Sequence, residues 1–397
     1  MYRNPIEMEP MLPTTDRNHQ LDDLCIKLLQ KSGELSSKLH PITRNSVAEI
    51  LRVMNSYYSN LIEGHSTHPA DINKALKKDY SKDPAKRALQ EESAAHVEVQ
   101  KLMEARLEAE PKMEICSKDF ICWIHQEFYR RLSSDFQNVT GPNGQIIKII
   151  PGKIRSDEVE VGEHIPPAAS TVESFLARFK EVFSIHSLPA LSKYVAAAAS
   201  HHRLAWIHPF LDGNGRVIRL FSHAYIIRLG LQSHGLWAIS RGLARRKGDY
   251  MAALTLGDSP RRGDLDGRGN LSDEGLVRFC KFYLETCIDQ VEFMSHLLDL
   301  DGFLNRVSAY ATRLIELGEL KPESIYLLRE ALLRGEIDRG EASHLTGVPE
   351  RSARIILGSL IEKEMLTSDS AKKPVRLGFP DHAIGYYFPR LYPEGVF

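Results

Sequence analysis

The twelve residues from His208 to Arg219 read HPFLDGNGRVIR. The two glycines around Asn214 free the backbone for unusual dihedrals and for close approach to a ligand. The apolar spacing of the continuation, RVIRLFSHAYIIRLG, predicts a helix that begins near Asn214. A glycine-rich turn feeding a helix N-terminus aims unpaired N–H groups and the positive end of the helix dipole at an anion. Arg216 and Arg219 stand i,i+3 and share a face, from which planar guanidiniums grip phosphate oxygens. Asp212 would be repelled by that phosphate unless a cation lay between them, which makes Mg2+ its natural partner. His208 sits where a titrating base can reach a hydroxyl attacking the bound phosphate. Taken singly, a Gly-Asn-Gly is most often a turn, two helix arginines a solvated pair and one histidine a surface residue. Their joint occurrence in one short segment predicts a phosphate site with a base beside it.

The chain around this segment has 397 residues, 43% hydrophobic and 26% charged, an ordinary globular composition that suggests two or three domains. Lys+Arg 51 against Asp+Glu 52 leaves a formal net charge of -1. That balance excludes a globally electrostatic nucleic-acid binder and leaves room only for a local basic face. The first residues, MYRNPIEMEPMLPTTDRNHQ, lack the apolar core of a secretory signal. No apolar run approaches the ~20 residues of a membrane span, so no membrane partner is expected. Five cysteines, Cys25, Cys116, Cys122, Cys280 and Cys287, include no CxxC pair. Reduced thiols in a cytoplasmic protein are the reading, without a structural zinc site.

Along the chain, residues 1–18 are polar and Pro-containing and read as loose or draped on the surface. Helical periodicity then runs to about Leu107. One segment, SVAEILRVMNSYYSNLIEG, offers Ser46 and Glu49 at capping-box spacing, an apolar stripe from Val47 to Leu61, and Gly64 as terminator. Residues 137–167 change character: Gly, Pro and β-branched residues with an alternating EVEV predict a hairpin or extended flap. Helices resume from Ser170 to about Leu300, broken by GDSPRRGDLDGRGN. The final ~95 residues carry three helical patterns, SIYLLREALLRG, DRGEASHLTG and PERSARIILGSLIEKEML, with Gly347 in a turn and TSDSAKKPVRLGF as a wing. That order resembles a winged helix-turn-helix.

The opening segment matches the Fic motif, HxFx(D/E)GNGRxxR, at every defined position, and the chain resembles that family over roughly residues 20–300. The resemblance implies a mainly α fold: a Fic helical core with a β-hairpin flap, here followed by a winged helix-turn-helix domain. The implied division is 1–115 for an N-terminal helical region, 116–300 for the Fic domain and 301–397 for the winged helix. It implies transfer of AMP from ATP to a Ser, Thr or Tyr hydroxyl of a protein, with release of pyrophosphate. His208 would deprotonate the hydroxyl, Phe210 would anchor the loop, and Asp212 would hold Mg2+. Gly213, Asn214, Gly215 and Arg216 would form the anion hole, and Arg219 would bind the γ-phosphate. Glycine at 215, where related kinases carry lysine, favours the AMP-transferring orientation of the nucleotide.

The helix expected over about 44–64 ends SNLIEG. Glu63 is electrostatically misplaced in its last turn, where a carboxylate costs roughly 0.3–1 kcal/mol. Residues Ser59–Gly64 match the family's inhibitory motif, (S/T)xxxE(G/N), which implies a pairing of Glu63 with Arg219 that keeps the γ-phosphate from seating. Removal of AMP with the help of the same glutamate is a secondary reading. The flap at 151–167, with Val159 and Val161 to one side, resembles the family's docking hairpin for a target protein. In RRKGDYMAAL, Tyr250 resembles one of two tyrosines that line the adenine pocket in relatives, with Met251 at the second place. A calcium loop in DLDGRGNLSDEG is rejected because Arg268 and Gly275 fall where oxygen ligands belong. His201 reads as a core residue that supports the motif helix.

Arg351 and Arg354 on the third C-terminal helix, with Lys372, Lys373 and Arg376 in the wing, offer a DNA contact. Glu362 and Glu364 and the neutral overall charge speak against it. Two function classes result: an autoinhibited protein adenylyltransferase, and a DNA-binding regulator whose core senses a nucleotide. A pure sensor has no use for the base at 208. A homodimer is left open.

Overall fold

The computed structural model describes residues 2–14, 19–141, 144–162, 164–393 and 396. The chain divides into two compact units: Met1–Lys31, Asn55–Gln232 and Ala238–Gln290 form one, and Ser32–Met54, Ser233–Trp237 and Val291–Phe397 the other. Both are mainly helical, as the periodicity predicts.

The first unit draws on α1 (Gln20–Ser36), the last turns of α2 (Pro41–Ile62), α3 (Pro69–Leu76), α4 (Pro84–Ala109), α5 (Lys118–Tyr129), α6 (Val172–Phe183), α7 (Ser192–Ile207), α8 (Asn214–Arg228), α9 (Ile239–Arg245), α10 (Lys247–Asp258) and α11 (Asp273–Leu297). Its centre is the pair α7–α8. The run VAAAAS in α7 has small side chains that let neighbours close in on every face, and Val195–Leu204 are buried without interruption. Pro209 forbids continuation, and α7 ends with His208 in the left-handed region at φ 49, ψ 64. The helix expected from Asn214 begins there, after Gly213 at φ 76.

The cap expected on α2 needs correction. Ser46 does not cap α2, because Pro41 supplies a preorganised first turn five residues earlier; the Ser46 hydroxyl turns back on the Ile42 carbonyl. Gly64, at φ 91, does end that helix, with the His65 N–H on the Asn60 carbonyl at 3.0 Å. The hairpin expected within 137–167 is present at its start: β1 (Asn138–Thr140) pairs antiparallel with β2 (Ile146–Lys148), Val139 opposite Ile147. Residues 156–160 form no strand, and Val161 and His164 share an isolated bridge. Just before this segment Arg155 is buried, its side chain on the backbone carbonyls of His208 and Pro167. Val161 is exposed and Val159 half-buried, and Glu163 lies outside the described residues.

Residues 2–14 are not loose. Met8 and Met11 are buried, Tyr2 packs at a tilt against Trp206 with ring centroids 4.7 Å apart, and the Glu9 carbonyl accepts the N–H groups of Asn270 and Leu271. The fully buried Arg203 of α7 donates twice to the Pro10 carbonyl, at 3.1 and 2.6 Å. Residues 15–18 lie outside the described residues.

The second unit holds α12 (Leu300–Glu316), α13 (Ser324–Arg334), α14 (Ala342–Thr346), α15 (Glu350–Glu362) and α16 (Asp381–Tyr387). A three-stranded antiparallel sheet joins β3 (Glu336–Ile337), β4 (Leu366–Thr367) and β5 (Val375–Leu377) in the order β3-β5-β4. Gly347, at φ 69, turns the chain between α14 and α15. All five cysteines are free, and four are buried. No helix among the described residues is long and apolar enough to cross a membrane.

Replacing Arg203 with alanine would orphan the Pro10 and Gly257 carbonyls that it binds. The expected cost is roughly 2 kcal/mol or more, together with faster protease cleavage within residues 2–14. Unchanged melting and unchanged cleavage would contradict the strap.

Candidate active site

The site grows from the turn between α7 and α8. Its floor is a stack of rings. Phe210, fully buried, lies on His125 of α5 at 4.0 Å with planes 13° apart, and His125 lies on Tyr129 at 4.4 Å. The spacing of α5 puts His125 and Tyr129 on one face, i,i+4. The Gly152 N–H donates to His125 Nδ1 at 2.8 Å, which ties the loop after β2 to the same stack. Gly213 is required twice here: its φ is 76, and a Cβ would come within 2.7 Å of the Tyr129 ring.

Asn214 closes the turn from inside. Its Oδ1 accepts the Phe210 N–H at 2.9 Å and its Nδ2 donates to the Phe210 carbonyl at 2.8 Å. With its side chain spent on the loop, Asn214 can offer an anion its backbone N–H, beside those of Gly215 and Arg216 at the start of α8. Asp212 stands at the rim. The Tyr129 hydroxyl donates to Oδ2 at 2.6 Å, Arg216 Nη2 lies 3.7 Å away, and the side chain stays 47% exposed. One half-exposed carboxylate beside an anion loop fits a Mg2+ that takes its remaining oxygens from water and phosphate.

His208 ends α7 at the other end of the same turn. A left-handed non-glycine residue costs about 1–2 kcal/mol, so something must hold it. Arg155 Nε donates to its carbonyl at 2.8 Å, the Arg155 N–H to the Pro209 carbonyl at 3.0 Å, and His164 Nε2 lies 2.8 Å from the Trp206 carbonyl. Burial, then the charge of Arg155, push the His208 pKa down to about 4; the Ala205 carbonyl and Glu63 act weakly against this. The imidazole is therefore neutral near pH 7, as a proton acceptor must be.

Both motif arginines are buried, and each meets a carboxylate. Arg219 donates from Nε to Ser59 Oγ at 2.9 Å, and from Nη2 to the Ser59 carbonyl at 2.9 Å and to Glu63 Oε1 at 2.5 Å. The pairing implied by the inhibitory motif is thus present in the folded chain. Burial alone would raise the Glu63 pKa, yet the charge and hydrogen bond of Arg219, helped by Arg216, hold it below its usual value. Gly215 makes room for this contact, because a Cβ there would stand 2.1 Å from Glu63 Oε1. Arg216 packs over Phe128, and its Nη1 pairs with Glu92 Oε1 of α4. His65 Nδ1, just past the end of α2, lies 2.6 Å from the other Glu92 oxygen.

Tyr250 is 4% exposed, its hydroxyl 2.8 Å from His201 Nε2, while Met251 is exposed. His201 Nδ1 in turn meets Ser222 Oγ of α8 at 2.7 Å, the supporting role expected of it. The sequence reading passed over Tyr129, Glu92, His65 and Arg155. A signal for Glu92 existed: Glu92, His96, Gln100 and Glu104 recur every fourth residue, a polar stripe on α4 that meets Arg216 and His223 of α8. Arg155 had no such signal.

Burial pushes His96 and His201 down to about 3, and His125 and His208 to about 4, from an unfolded value of 6.5. Unfolding therefore takes up protons below pH 6.5. The stability tied to these rings is complete above that pH and is lost as pH falls through about 4. Melting temperature should drop steadily from pH 7 to pH 4.5; a flat profile would contradict the buried neutral histidines.

A model of the Fic/DOC family matches residues 115–226. The protein adenylyltransferase Fic of Nematostella vectensis is 28% identical over 236 residues, 57% of this chain and 51% of the relative. The Fic of Drosophila erecta is 32% identical over 119 residues, 30% of this chain and 21% of the relative. The chain thus spans about half the length of the first relative and about a fifth of the second. In fold, the chain is similar to a Fic family protein from Desulfovibrio desulfuricans G20, with a TM-score of 0.51 at 18% identity, covering 89% of this chain and 95% of that one. Residues 115–226, which contain the ring stack, the left-handed histidine and the turn into α8, match the Fic/DOC family model, and the chain is distantly similar over part of its length to the protein adenylyltransferases named Fic.

Proposed function

We propose that this protein is an autoinhibited adenylyltransferase that moves AMP from ATP to a hydroxyl of a protein substrate. The observation that carries the reading is a neutral His208 on the turn that leads into α8, with both motif arginines held by carboxylates. In the reaction the hydroxyl oxygen bonds to the α-phosphorus as its proton passes to the His208 ring. The bond from that phosphorus to the bridging oxygen breaks, and pyrophosphate leaves. The N–H groups opening α8 receive phosphate charge, and the arginines orient the triphosphate once their carboxylates are displaced. A Mg2+ at Asp212 would supply further charge neutralisation. Tyr250 and Met251 suit an adenine contact. The segment around Val161 suits a main-chain contact to the target.

Glu63 is the brake in this reading. Arg219 cannot grip a γ-phosphate while its Nη2 is 2.5 Å from Glu63. The neutral base speaks for catalysis over nucleotide sensing, and the nearness of Glu63 keeps AMP removal open as a reverse activity. With α-labelled ATP and Mg2+, Glu63→Gly should label itself or a target at least about tenfold faster than the parent chain, the equivalent of ~1.4 kcal/mol. His208→Ala in that background should abolish labelling. Equal labelling with and without Glu63 would refute the brake, and persistent labelling without His208 would refute the base.

The C-terminal elements support a winged helix, α14 and α15 around Gly347 with β4 and β5 as the wing. Its cations are largely answered within the unit: Arg376 and Lys373 lie 2.8 and 3.4 Å from Asp369, and Arg354 lies 3.2 Å from Glu350. Ile355, on α15, is 64% exposed. Such a surface suits protein contact better than DNA. Labelled duplex should stay free at physiological salt; retention that weakens steeply with added salt would reverse this reading.

A further inference from the structure

Arg155 is an arginine at 3% exposure in a segment otherwise short of regular structure. Its fork donates to three main-chain oxygens, Nε to His208, Nη1 to Asp157 at 3.2 Å and Nη2 to Pro167 at 2.5 Å, and Nη1 also pairs with the Glu158 carboxylate at 3.5 Å. The backbone N–H of the same residue takes the Pro209 carbonyl at 3.0 Å. The carbonyls of His208 and Pro209 belong to the end of α7, where a helix leaves its last acceptors unpaired and favours a cation. Nothing else among the described hydrogen bonds accounts for the His208 carbonyl. The left-handed conformation of His208 is one that most residues avoid, so its peptide needs an external grip to hold it there.

We propose that Arg155 is the positioning residue for the base: its planar fork fixes the His208 peptide in the left-handed turn by binding it to the main chain at Asp157 and Pro167. This rests on the reading of His208 as the proton acceptor. Arg155 touches no reacting atom; it acts through the orientation of the imidazole. It also places His208 under the influence of the segment from 157 to 167, because the carbonyls that share the fork lie at either end of it. Lysine cannot substitute, since a single ammonium group cannot span three carbonyls in one plane.

The test uses the full chain in the Glu63→Gly background, with self-labelling from α-labelled ATP and Mg2+ followed against ATP concentration. Arg155→Lys and Arg155→Ala should lower the plateau rate by roughly a hundredfold, the scale expected for a base displaced by about 1 Å. The half-saturating ATP concentration should stay where it was, because the anion turn and α8 are untouched. A merely structural role would move both or neither. An unchanged plateau in the lysine variant overturns the proposal, as does a plateau loss matched by an equal loss of ATP affinity. A second readout stands apart from activity: in protein with 15N-labelled histidine, the His208 ring should show one fixed tautomer in the Arg155 chain and a mixture in Arg155→Lys. A single unchanged tautomer in both overturns the role of Arg155 even if no AMP transfer is found. Absence of labelling from Glu63→Gly itself refutes the adenylyltransferase reading and leaves the ring signals to decide on Arg155. The lysine variant retains the charge at the helix end, so it carries the test where alanine does not fold.

Discussion

Two guanidinium groups are buried on the first turns of α8, and neither could stay charged there alone. Removing an ion from water costs several kcal/mol even after relaxation, so each must find an oxygen-rich partner. Glu63 and Ser59 meet Arg219, and Glu92 meets Arg216. Much of the first unit follows from these two demands. The end of α2 must come close enough to deliver Glu63, residue 215 must be glycine to admit it, and α4 must turn a polar stripe inward.

That arrangement has a chemical meaning, because a phosphate would present the same oxygens. The carboxylates hold both arginines in charge-assisted pairs. In the proposed function a triphosphate would have to displace such a pair before it gained one, and part of its affinity would offset that loss. The base is arranged independently. His208 is held neutral by burial and by the charge of Arg155, and it is oriented from a segment that shares no residue with the arginine network. In the proposed reaction, charge neutralisation and proton transfer would thus be served by largely separate parts of the fold that meet at the turn 208–214.

Legibility of the site fell along the same division. Residues 208–219 declared their turn, their helix start and their shared arginine face, because all three depend on local geometry. The Ser59–Glu63 pairing was legible only by resemblance. Glu92 was hinted at by a four-residue recurrence that takes meaning once α8 lies against α4. Ser46 misled in the other direction: its spacing to Glu49 suits a cap, yet Pro41 had already begun the helix.

What the sequence by itself determined is the helical core and the anion turn, for these rest on periodicity, on two glycines and on a proline that stops α7. Only the tertiary structure decided which carboxylate answers each arginine, that residues 2–14 lie strapped over α7, and that Arg155 binds the carbonyl of His208. Each of these joins segments tens to hundreds of residues apart, and a contact of that kind leaves no mark on the spacing of either partner. Burial then makes such contacts obligatory, since a polar group inside the core must be answered by whatever the fold brings to it.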